Sequence, residues 1–430
     1  GSAAAARNVI AVRADDGVVI AGAGALTNRI LGNHIGVLND GVTELGNGDA
    51  GVRVDGAPNT LIEDNVIGGN GEDGVLLTGA ATMAIVRGNR IGVTLDDTGA
   101  TNRGPGVAID RAPDVLVEGN IIGANVEEGV LVTGDAARRA RIVGNTIGVT
   151  SRGRGPLGNG GAGVRVLDAP LAEIGGATAS AGNVIGANAG GIVATRAAGL
   201  VVAGNAIGAD GESTFANLGA GVVVRDTDGA RIGGDDAAAR NTIAHNEGAG
   251  VAVEGTSRQV RVVGNALFAN AGLGIDLGGD GVTPNDRGDA DDGPNGLQNF
   301  AVLTAAHYRA AGRVVVFGVA PAGARVDVYA SGAADPSGFG EGEVWVGAAV
   351  EGSRDDADAD AGEYDIAGVG SDAGQRFRLA FDAARLPASP LFTVTATVAD
   401  STSEFSPALE GFDLDADADG DGLSNGDELD

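Results

Sequence analysis

The chain of 430 residues is dominated by an asparagine that returns at intervals of 22 to 38 residues. The asparagines of this series are Asn33, Asn65, Asn89, Asn120, Asn145, Asn183, Asn205, Asn241 and Asn265. Long and short intervals alternate, so the distance over two turns is steadier, at 56 residues for the first two pairs of turns and 60 for the next two. Self-similarity with a period of about 20 to 50 residues is typical of a solenoid.

Residues 119–149 contain one complete turn, with three short apolar runs separated by Gly, Asn and Asp. Short β-branched runs between turn residues indicate strands. Stacked three-strand turns would pair in parallel with the copies above and below, roughly 4.8 Å away. We therefore predict an all-β fold with a right-handed, three-sheet parallel β-helix of about ten coils over residues 8–300. We expect the repeated Asn to form a ladder, since its amide both donates and accepts hydrogen bonds.

The composition disfavours two classes of partner. A net charge of −30 argues against nucleic acid and anionic membrane surfaces, and no run of 18 apolar residues is present that would insert into a membrane. The chain has no Cys, so disulfides cannot stabilise it. Its first residues lack the pattern of a signal peptide, and we expect an exposed parallel edge at the first coil, which favours self-association.

The repeat stops in residues 274–300, where carboxylates crowd into one segment. The candidate metal ligands there are Asp276, Asp280, Asp286, Asp289 and Asp291. So many carboxylates repel one another unless a cation neutralises them, and oxygen-only ligands favour Ca²⁺. We predict that residues 274–300 form a Ca²⁺-supported cap of the solenoid; the alternative is a solvated acidic loop.

The composition changes after residue 300. Residues 301–411 contain Tyr, Trp and alternating strand-like segments about 15 residues apart, which favours an antiparallel β-sandwich. The tail, residues 412–430, matches the pattern of a Ca²⁺-binding loop. Its predicted ligands are Asp417, Asp419, Asp421, the backbone carbonyl of Leu423, and Glu428 at the twelfth position.

Two further rows of side chains are expected along the solenoid. The insertions that follow Ile-Gly in every second turn should line up on one side, more as a solvated edge than as a binding site. Asp55, Asp110 and Asp168, each closely followed by Pro, are expected at equivalent places two turns apart. Facing carboxylates can hydrolyse a glycosidic bond, but Asp near Pro is also ordinary turn chemistry.

Several segments carry a resemblance to known proteins. They are the GNxIG and GAGV repeats, the segment GIDLGGDGVTPND, the segment TVTATVADSTSEFSP and the tail DADGDGLSNGDE. Together they resemble bacterial secreted or cell-surface proteins with parallel β-helix repeats, followed by an Ig-like module and a thrombospondin type 3-like calcium-binding tail. The resemblance implies an extracellular location and assigns no catalytic residue.

We therefore favour a non-enzymatic, calcium-stabilised extracellular or cell-surface protein for adhesion, coating or assembly. Its expected partners are surface polysaccharide, other surface proteins and further copies of the chain. The alternative is a polysaccharide-degrading lyase or hydrolase, since such enzymes share the β-helix scaffold. Against catalysis, the solenoid lacks Lys and Tyr, and only three Phe precede residue 301.

Overall fold

The computed structural model describes residues 7–151, 155–178, 180–210, 212–358, 360–383, 385–417 and 423–428. The chain divides into two compact units, Gly1–Gly248 and Ala249–Asp430. The second unit begins within the predicted solenoid, so its first residues still follow the coil pattern.

The first unit consists of short strands in a repeating group of three. The strands are β1 (Val9–Ile10), β2 (Val18–Ala21), β3 (Arg29–Leu31), β4 (His34–Ile35), β5 (Val52–Asp55), β6 (Leu61–Glu63), β7 (Val66–Ile67), β8 (Val75–Thr78), β9 (Ile85–Arg87), β10 (Arg90–Ile91), β11 (Val107–Asp110), β12 (Leu116–Glu118), β13 (Ile121–Ile122), β14 (Val130–Thr133), β15 (Arg141–Val143), β16 (Thr146–Ile147), β17 (Ala162–Leu167), β18 (Glu173–Gly175), β19 (Val184–Ile185), β20 (Gly190–Thr195), β21 (Val201–Ala203), β22 (Ala206–Ile207), β23 (Val222–Arg225), β24 (Arg231–Gly233) and β25 (Thr242–Ala244).

Each strand pairs in parallel with its counterparts one turn before and one turn after. The first sheet therefore runs β1-β4-β7 through to β25, the second β2-β5-β8 through to β23, and the third β3-β6-β9 through to β24. This is the right-handed parallel β-helix that the sequence predicts, and the all-β prediction is confirmed.

The interior is filled by columns of small aliphatic side chains. In the second sheet, Val107 lies opposite Val75 on one side and Val130 on the other, and Val130 lies opposite Val164. All four side chains are fully buried. The Gly before each of these Val residues permits the close stacking, because a Cβ atom on Gly129 would lie 2.6 Å from the carbonyl oxygen of Gly163.

The predicted asparagine ladder is confirmed. Asn120 Oδ1 accepts hydrogen bonds from Asn89 N and Asn89 Nδ2, at 2.9 and 3.0 Å. Asn120 Nδ2 donates to Asn145 Oδ1 at 2.9 Å and to the carbonyl of Val86 at 2.8 Å. The same pattern is seen from Asn33 to Asn205, so buried amides satisfy the backbone groups at this bend.

A second asparagine ladder lies at the following bend. Its members in the first unit are Asn47, Asn70, Asn102, Asn125, Asn159, Asn188, Asn217 and Asn246. In short turns this second Asn follows the first by five residues, as in Asn65 and Asn70. In long turns the insertion lies between the two, and the gap is 12 to 14 residues. This variable spacing conceals the second ladder in the sequence.

The long-turn insertions form small hairpins that contact one another across the intervening coil. Bridges close them between Val37 and Glu44, Val93 and Gly99, Val149 and Pro156, and Ala209 and Thr214. Leu95 N donates to the carbonyl of Gly41 at 3.1 Å, and Ser151 Oγ donates to Asp97 Oδ2 at 2.6 Å. The expected alignment on one side of the solenoid is therefore confirmed for the first three insertions.

The expected acidic row is wrong for one of its three members. Asp55 and Asp110 both lie opposite Thr78, one from each side, so they share a column. The next positions in that column are Thr133 and Leu167. Asp168 lies one residue further along, where its backbone turns with φ of 56°.

The second unit begins with four solenoid strands and continues into two antiparallel sheets. The strands are β26 (Val251–Glu254), β27 (Arg261–Val263), β28 (Ala266–Phe268), β29 (Ile275–Leu277), β30 (Val302–Tyr308), β31 (Arg313–Ala320), β32 (Arg325–Ser331), β33 (Val344–Val350), β34 (Ala361–Ile366), β35 (Gly370–Asp382), β36 (Leu391–Val398), β37 (Ser401–Thr402), β38 (Leu409–Glu410) and β39 (Phe412–Asp413), followed by the one-turn helix α1 (Asn425–Glu428).

The antiparallel strands make a two-sheet sandwich around one core. One sheet has the order β34-β35-β31-β30-β39, with β30 and β39 parallel, and the other has the order β33-β32-β36-β37 with β38 beside β36. Side chains of both sheets meet in the core, among them Val316, Val328, Leu379, Phe377 and Phe392.

Within the second unit, the sandwich covers the backbone of the last coil. Gly342 and Leu267 of β28 exchange two backbone hydrogen bonds, at 2.8 and 2.9 Å. Thr402 of β37 donates its N–H to the carbonyl of Val260 and accepts from Val262 N through its hydroxyl. Groups that would be left unpaired at a solenoid end therefore find partners in the sandwich.

Candidate metal centre

The acidic segment after β29 is held against the sandwich by Asn285. Asn285 N donates to the carbonyl of Val369 at 2.8 Å, and Ser371 N donates to the carbonyl of Asn285 at 3.3 Å. Asn285 Nδ2 also donates to the hydroxyl of Tyr364 at 2.6 Å. The carboxylates that follow Asn285 are therefore placed at the end of β34 and the start of β35.

Three predicted ligands of this segment come together. One carboxylate oxygen from each of Asp286, Asp289 and Asp291 lies within 4.8 Å of the others, which is the only such grouping among the described residues. Asp286 accepts from Ala290 N at 3.0 Å, and Asp289 accepts from Asn299 N at 2.7 Å. The Oδ1 atom of Asp291 is buried and has no hydrogen-bond partner.

Burial and neighbouring negative charges raise the pKa values of two of the three carboxylates, those of Asp289 and Asp291. Burial raises the pKa of Asp291, and the neighbouring charges of Asp286 and Asp289 add to this effect. Burial likewise raises the pKa of Asp289, with contributions from Asp286 and Asp372. Converging carboxylate oxygens suit a hard divalent cation such as Ca²⁺, which would relieve this repulsion.

Asp276 and Asp280 do not join this group. Asp276 Oδ1 accepts from the backbone N–H groups of Gly279 and Gly281, at 3.0 and 3.4 Å, and so stabilises the turn after β29. The charge of Asp280 contributes to the raised pKa of Asp276, after burial. The grouping of three carboxylates therefore leaves these two out of the five predicted from the sequence.

A fourth carboxylate borders the three, and sequence reasoning missed it. Asp372 Oδ1 accepts from Gly288 N at 2.9 Å, and Asp372 Oδ2 accepts from Asn299 Nδ2 at 3.0 Å. Asp372 lies in β35, 83 residues beyond Asp289 in the sequence, so no local spacing signals its proximity.

The predicted calcium loop of the tail lies largely outside the described residues, which include neither Asp419 nor Asp421. Asp417 and Leu423 are exposed, and only the backbone of Glu428 is described, at the end of α1. The tail is attached to the sandwich by Asn425, whose Nδ2 donates to the carbonyl of Asp413 at 2.7 Å. Calcium binding by the tail stays a prediction.

A cavity of about 330 Å³ opens beside the acidic centre. It is lined by Arg287, Glu363, Tyr364, Asp365, Ser371 and Asp372. Burial raises the pKa of the Tyr364 hydroxyl to about 12, and the carboxylates of Asp372, Asp289 and Asp286 contribute. Tyr364 is therefore a neutral phenol at physiological pH.

Two buried glutamates at the last coil were also missed. Glu341 Oε1 accepts from Asn270 N and Asn270 Nδ2, at 3.1 and 2.8 Å, the two bonds that a ladder Asn would accept. Glu404 accepts from Leu277 N and Thr283 N, each at 2.9 Å. Burial raises the pKa of each glutamate to about 7. The sequence gives no signal, since both glutamates lie far from their partners along the chain.

Among the described residues of the first unit, the carboxylate of Asp73 has a strongly raised pKa. Burial raises the pKa of Asp73 to about 7, and the nearby charges of Glu72, Glu127 and Asp16 act in the same direction. Arg53 opposes them, and it pairs with Asp16 at 3.8 Å.

Comparison with known proteins supports the fold. Residues 5–207, just under half of the chain, match a family model described as right handed beta helix region. Together with the three parallel sheets, this match defines the class of protein as one built on a right-handed parallel β-helix. No curated protein sequence matches the chain.

Solved structures with partial similarity include two polysaccharide-acting proteins. A mutant of the periplasmic alginate epimerase AlgG shares 15% identity over 58% of this chain and 60% of its own, with a TM-score of 0.34. The tailspike protein gp49 from Acinetobacter baumannii bacteriophage Fri1, a capsular polysaccharide depolymerase, shares 10% identity over 93% of this chain and 70% of its own, with a TM-score of 0.20. At these values no function carries over. The chain thus spans about three fifths of the epimerase's length.

Among the described residues, no helix has the length and apolar character needed to cross a membrane.

Proposed function

We propose that the protein is an extracellular, calcium-stabilised β-helix that binds surface polysaccharide without chemically altering it. The observation that supports calcium binding is the convergence of one carboxylate oxygen from each of Asp286, Asp289 and Asp291, and Asp291 also has a buried oxygen without a hydrogen-bond partner. Such a centre cross-links the segment after the last coil and, through the neighbouring Asp372, the sandwich. A bound cation stabilises the folded form in proportion to its occupancy.

Calcium is expected to raise the thermal unfolding midpoint of the full chain. Asp291→Asn removes a ligand oxygen's charge and should abolish binding at the centre, whereas Asp421→Asn tests the tail independently. Asp292→Asn is the matched control, because Asp292 is exposed, pairs with Arg258 at 2.6 Å and is not one of the three grouped carboxylates. Titration calorimetry should show one binding event lost in Asp291→Asn and none lost in Asp292→Asn.

The pH dependence of calcium affinity is a second test of the centre. Because the pKa values of Asp289 and Asp291 are raised, Ca²⁺ must displace protons at low pH, and calcium affinity should increase with pH. Calcium binding that is absent from the wild-type chain, or unaffected by Asp291→Asn, contradicts the proposal.

A second candidate function, polysaccharide cleavage, is favoured by Asp73. A carboxyl group with a pKa near 7 suits general acid–base catalysis at neutral pH. Its neighbours Glu72, Glu127 and Asp16 would supply further carboxylates, and Arg53 a positive charge for an acidic sugar.

Release of oligosaccharides from a panel of polyuronates and neutral glycans separates the two functions. If cleavage occurs at Asp73, Asp73→Asn should reduce it by at least about 100-fold, the usual contribution of a general acid or base. The exposed Asp135 provides a matched control in Asp135→Asn. Binding without cleavage supports the first function, and Asp73-dependent cleavage replaces it.

A further inference from the structure

The first of the insertion hairpins, residues 37–44, is held to its coil by a buried histidine. His34 lies at the start of β4 and is 1% exposed. Its Nδ1 atom is 2.8 Å from the carbonyl oxygen of Leu38, and because a carbonyl oxygen only accepts, Nδ1 carries the proton. The other ring nitrogen, Nε2, is therefore an acceptor, and it is buried without a hydrogen-bond partner among the described residues. The base of this hairpin thus contains a neutral imidazole.

The second hairpin, residues 93–99, has the same arrangement with a different side chain. Arg90 lies in the same column of the first sheet as His34, two coils further on. Arg90 Nε donates to the carbonyl of Thr94 at 2.6 Å, four residues later, which is the bond that His34 makes in the first hairpin. Arg90 also forms an ion pair with Asp97 of its own hairpin. A cation at this position is therefore accompanied by a carboxylate.

The first hairpin has no carboxylate at the corresponding position. Gly41 follows His34 by seven residues, as Asp97 follows Arg90, and both have a left-handed backbone, with φ of 70° and 62°. A Cβ atom on Gly41 would lie 2.9 Å from His34 Cε1 and 2.5 Å from Leu95 Cδ1, so this space is closely packed. Protonation of Nε2 would place a charge among backbone and apolar atoms, which is costly without a partner.

The two charged side chains that act on His34 oppose each other. Burial lowers the pKa of His34, and its hydrogen bond to the hairpin carbonyl raises it. The positive charge of Arg7, which precedes β1, lowers the pKa further, and the negative charge of Asp40 raises it. In the coils on either side, the residues opposite His34 are Val9 and Val66, which do not titrate.

The nearby carboxylates already have partners. Asp40 accepts from the hydroxyl and the backbone N–H of Thr43, at 2.6 and 2.9 Å, and these bonds lower the pKa of Asp40 to about 2. Asp40 therefore remains charged between pH 5 and 7. On the second hairpin, Leu95 is apolar and the carboxylate of Asp97 is paired with Arg90. A change of charge in this pH range is therefore a change at the imidazole.

We infer that the first hairpin is acid-sensitive: protonation of His34 Nε2 opens residues 37–44 from the solenoid, while the second hairpin stays closed. Burial holds the pKa of His34 in the closed form below its ordinary value of 6.5. The neutral imidazole therefore stabilises the closed form fully above pH 6.5, and this stabilisation is lost as the pH falls below 6.5. Asp73 has a raised pKa and the opposite sign, so it cannot account for opening in acid.

Opening of the first hairpin would alter the row of insertions. Leu95 N donates to the carbonyl of Gly41 at 3.1 Å, and Thr101 N donates to Glu44 Oε1 at 3.1 Å. Both bonds join the second insertion to the first, so both are released when the first hairpin opens. The side chain of Leu95 loses its cover at Gly41, and acid therefore adds apolar surface on this side of the solenoid. This inference does not rest on the proposed calcium or polysaccharide binding.

Hydrogen–deuterium exchange of the full chain at pH 7 and pH 5, corrected for the intrinsic exchange rates, tests the inference. The reporting amides are Leu38, Leu45 and Gly46, which donate to backbone carbonyls within the hairpin and its coil. We expect their protection to decrease at least about fivefold from pH 7 to pH 5, since each unit of pKa difference corresponds to up to about tenfold. The amides of Thr94 and Ala100 in the second insertion are an internal control and should change less than about twofold.

His34→Asn removes the titrating group and keeps a donor, because the amide nitrogen can replace Nδ1–H. We expect the protection of the first hairpin to be independent of pH in this variant. His245→Asn is the matched control, since His245 is a partly exposed histidine of the same unit, outside the insertions. It should leave the pH response unchanged. A decrease in protection at pH 5 that persists in His34→Asn contradicts the inference.

Nitrogen-15 NMR of the wild-type chain labelled at histidine requires no substitution. We expect His34 to be the Nδ1–H tautomer at pH 7 and to titrate below 6.5, with the loss of protection following the same titration. A titration at or above 6.5, an Nε2–H tautomer at pH 7, or equal protection at pH 5 and pH 7 overturns the inference. Loss of calcium binding in Asp291→Asn should leave the response of the hairpin unchanged, so the two proposals fail separately.

Discussion

Asn120→Ala is expected to destabilise the protein by about 4 kcal/mol, because it removes a buried amide that is hydrogen-bonded to four groups. Asn89 N loses its acceptor, Asn89 Nδ2 loses one of its acceptors, and the carbonyl of Val86 and Asn145 Oδ1 each lose a donor. Each buried polar group left without a partner costs about 1 to 3 kcal/mol. Denaturant unfolding followed by circular dichroism measures the change.

The control for this prediction is an asparagine outside both ladders. Asn39 is exposed on the first long-turn insertion, so Asn39→Ala should change the free energy of unfolding by no more than about 0.5 kcal/mol. If Asn120→Ala and Asn39→Ala have similar effects, the ladder does not stabilise the solenoid in the way proposed.

The free energy of unfolding in calcium-free buffer should decrease as the pH rises from about 5 to 8. Glu341 and Glu404 are at most 7% exposed, and burial raises their pKa values from 4.5 to about 7. A group with a raised pKa in the folded state stabilises that state fully below pH 4.5, and this stabilisation is lost as the pH rises through about 7. At about 1.4 kcal/mol per pH unit, each carboxyl contributes up to about 3 kcal/mol.

Substitution separates these two glutamates from other titrating groups. Glu341→Gln keeps an oxygen for Asn270 and carries no charge, so it should remove about half of the loss between pH 5 and 8. The double variant with Glu404→Gln should remove most of it, while the exposed Glu410→Gln should leave the curve unchanged. Asp73 titrates in the same direction and accounts for a residual slope. A pH profile that is unaltered by both substitutions would rule out this assignment.

The solenoid could be predicted from the sequence because the same residue pattern recurs in successive turns. Each Asn of the first ladder and each Gly before Val recurs in nearly every turn, and stacking places equal positions in one column. The register of single residues was less predictable. Asp168 was assigned to the column of Asp55 and Asp110, but turn lengths vary by a residue or more between strands, and a shift of one residue moves a side chain to the next position.

The candidate site was only partly predictable for a different reason. Asp286, Asp289 and Asp291 are close in sequence, so their grouping follows from local composition. Asp372, Tyr364, Glu341 and Glu404 reach their partners only through the fold of the sandwich, with separations of up to 127 residues. Contacts of this kind depend on tertiary packing, which no spacing rule in a single sequence reports.

The hydrogen bond between Asn270 and Glu341 limits the number of coils. An amide side chain receives hydrogen bonds from one neighbour and gives one to the next, so a stack of amides has no inherent end. A carboxylate only receives. Glu341 accepts the hydrogen bonds of Asn270 and, as a carboxylate, can donate none. A further coil with an asparagine at that position would therefore find no donor to continue the ladder.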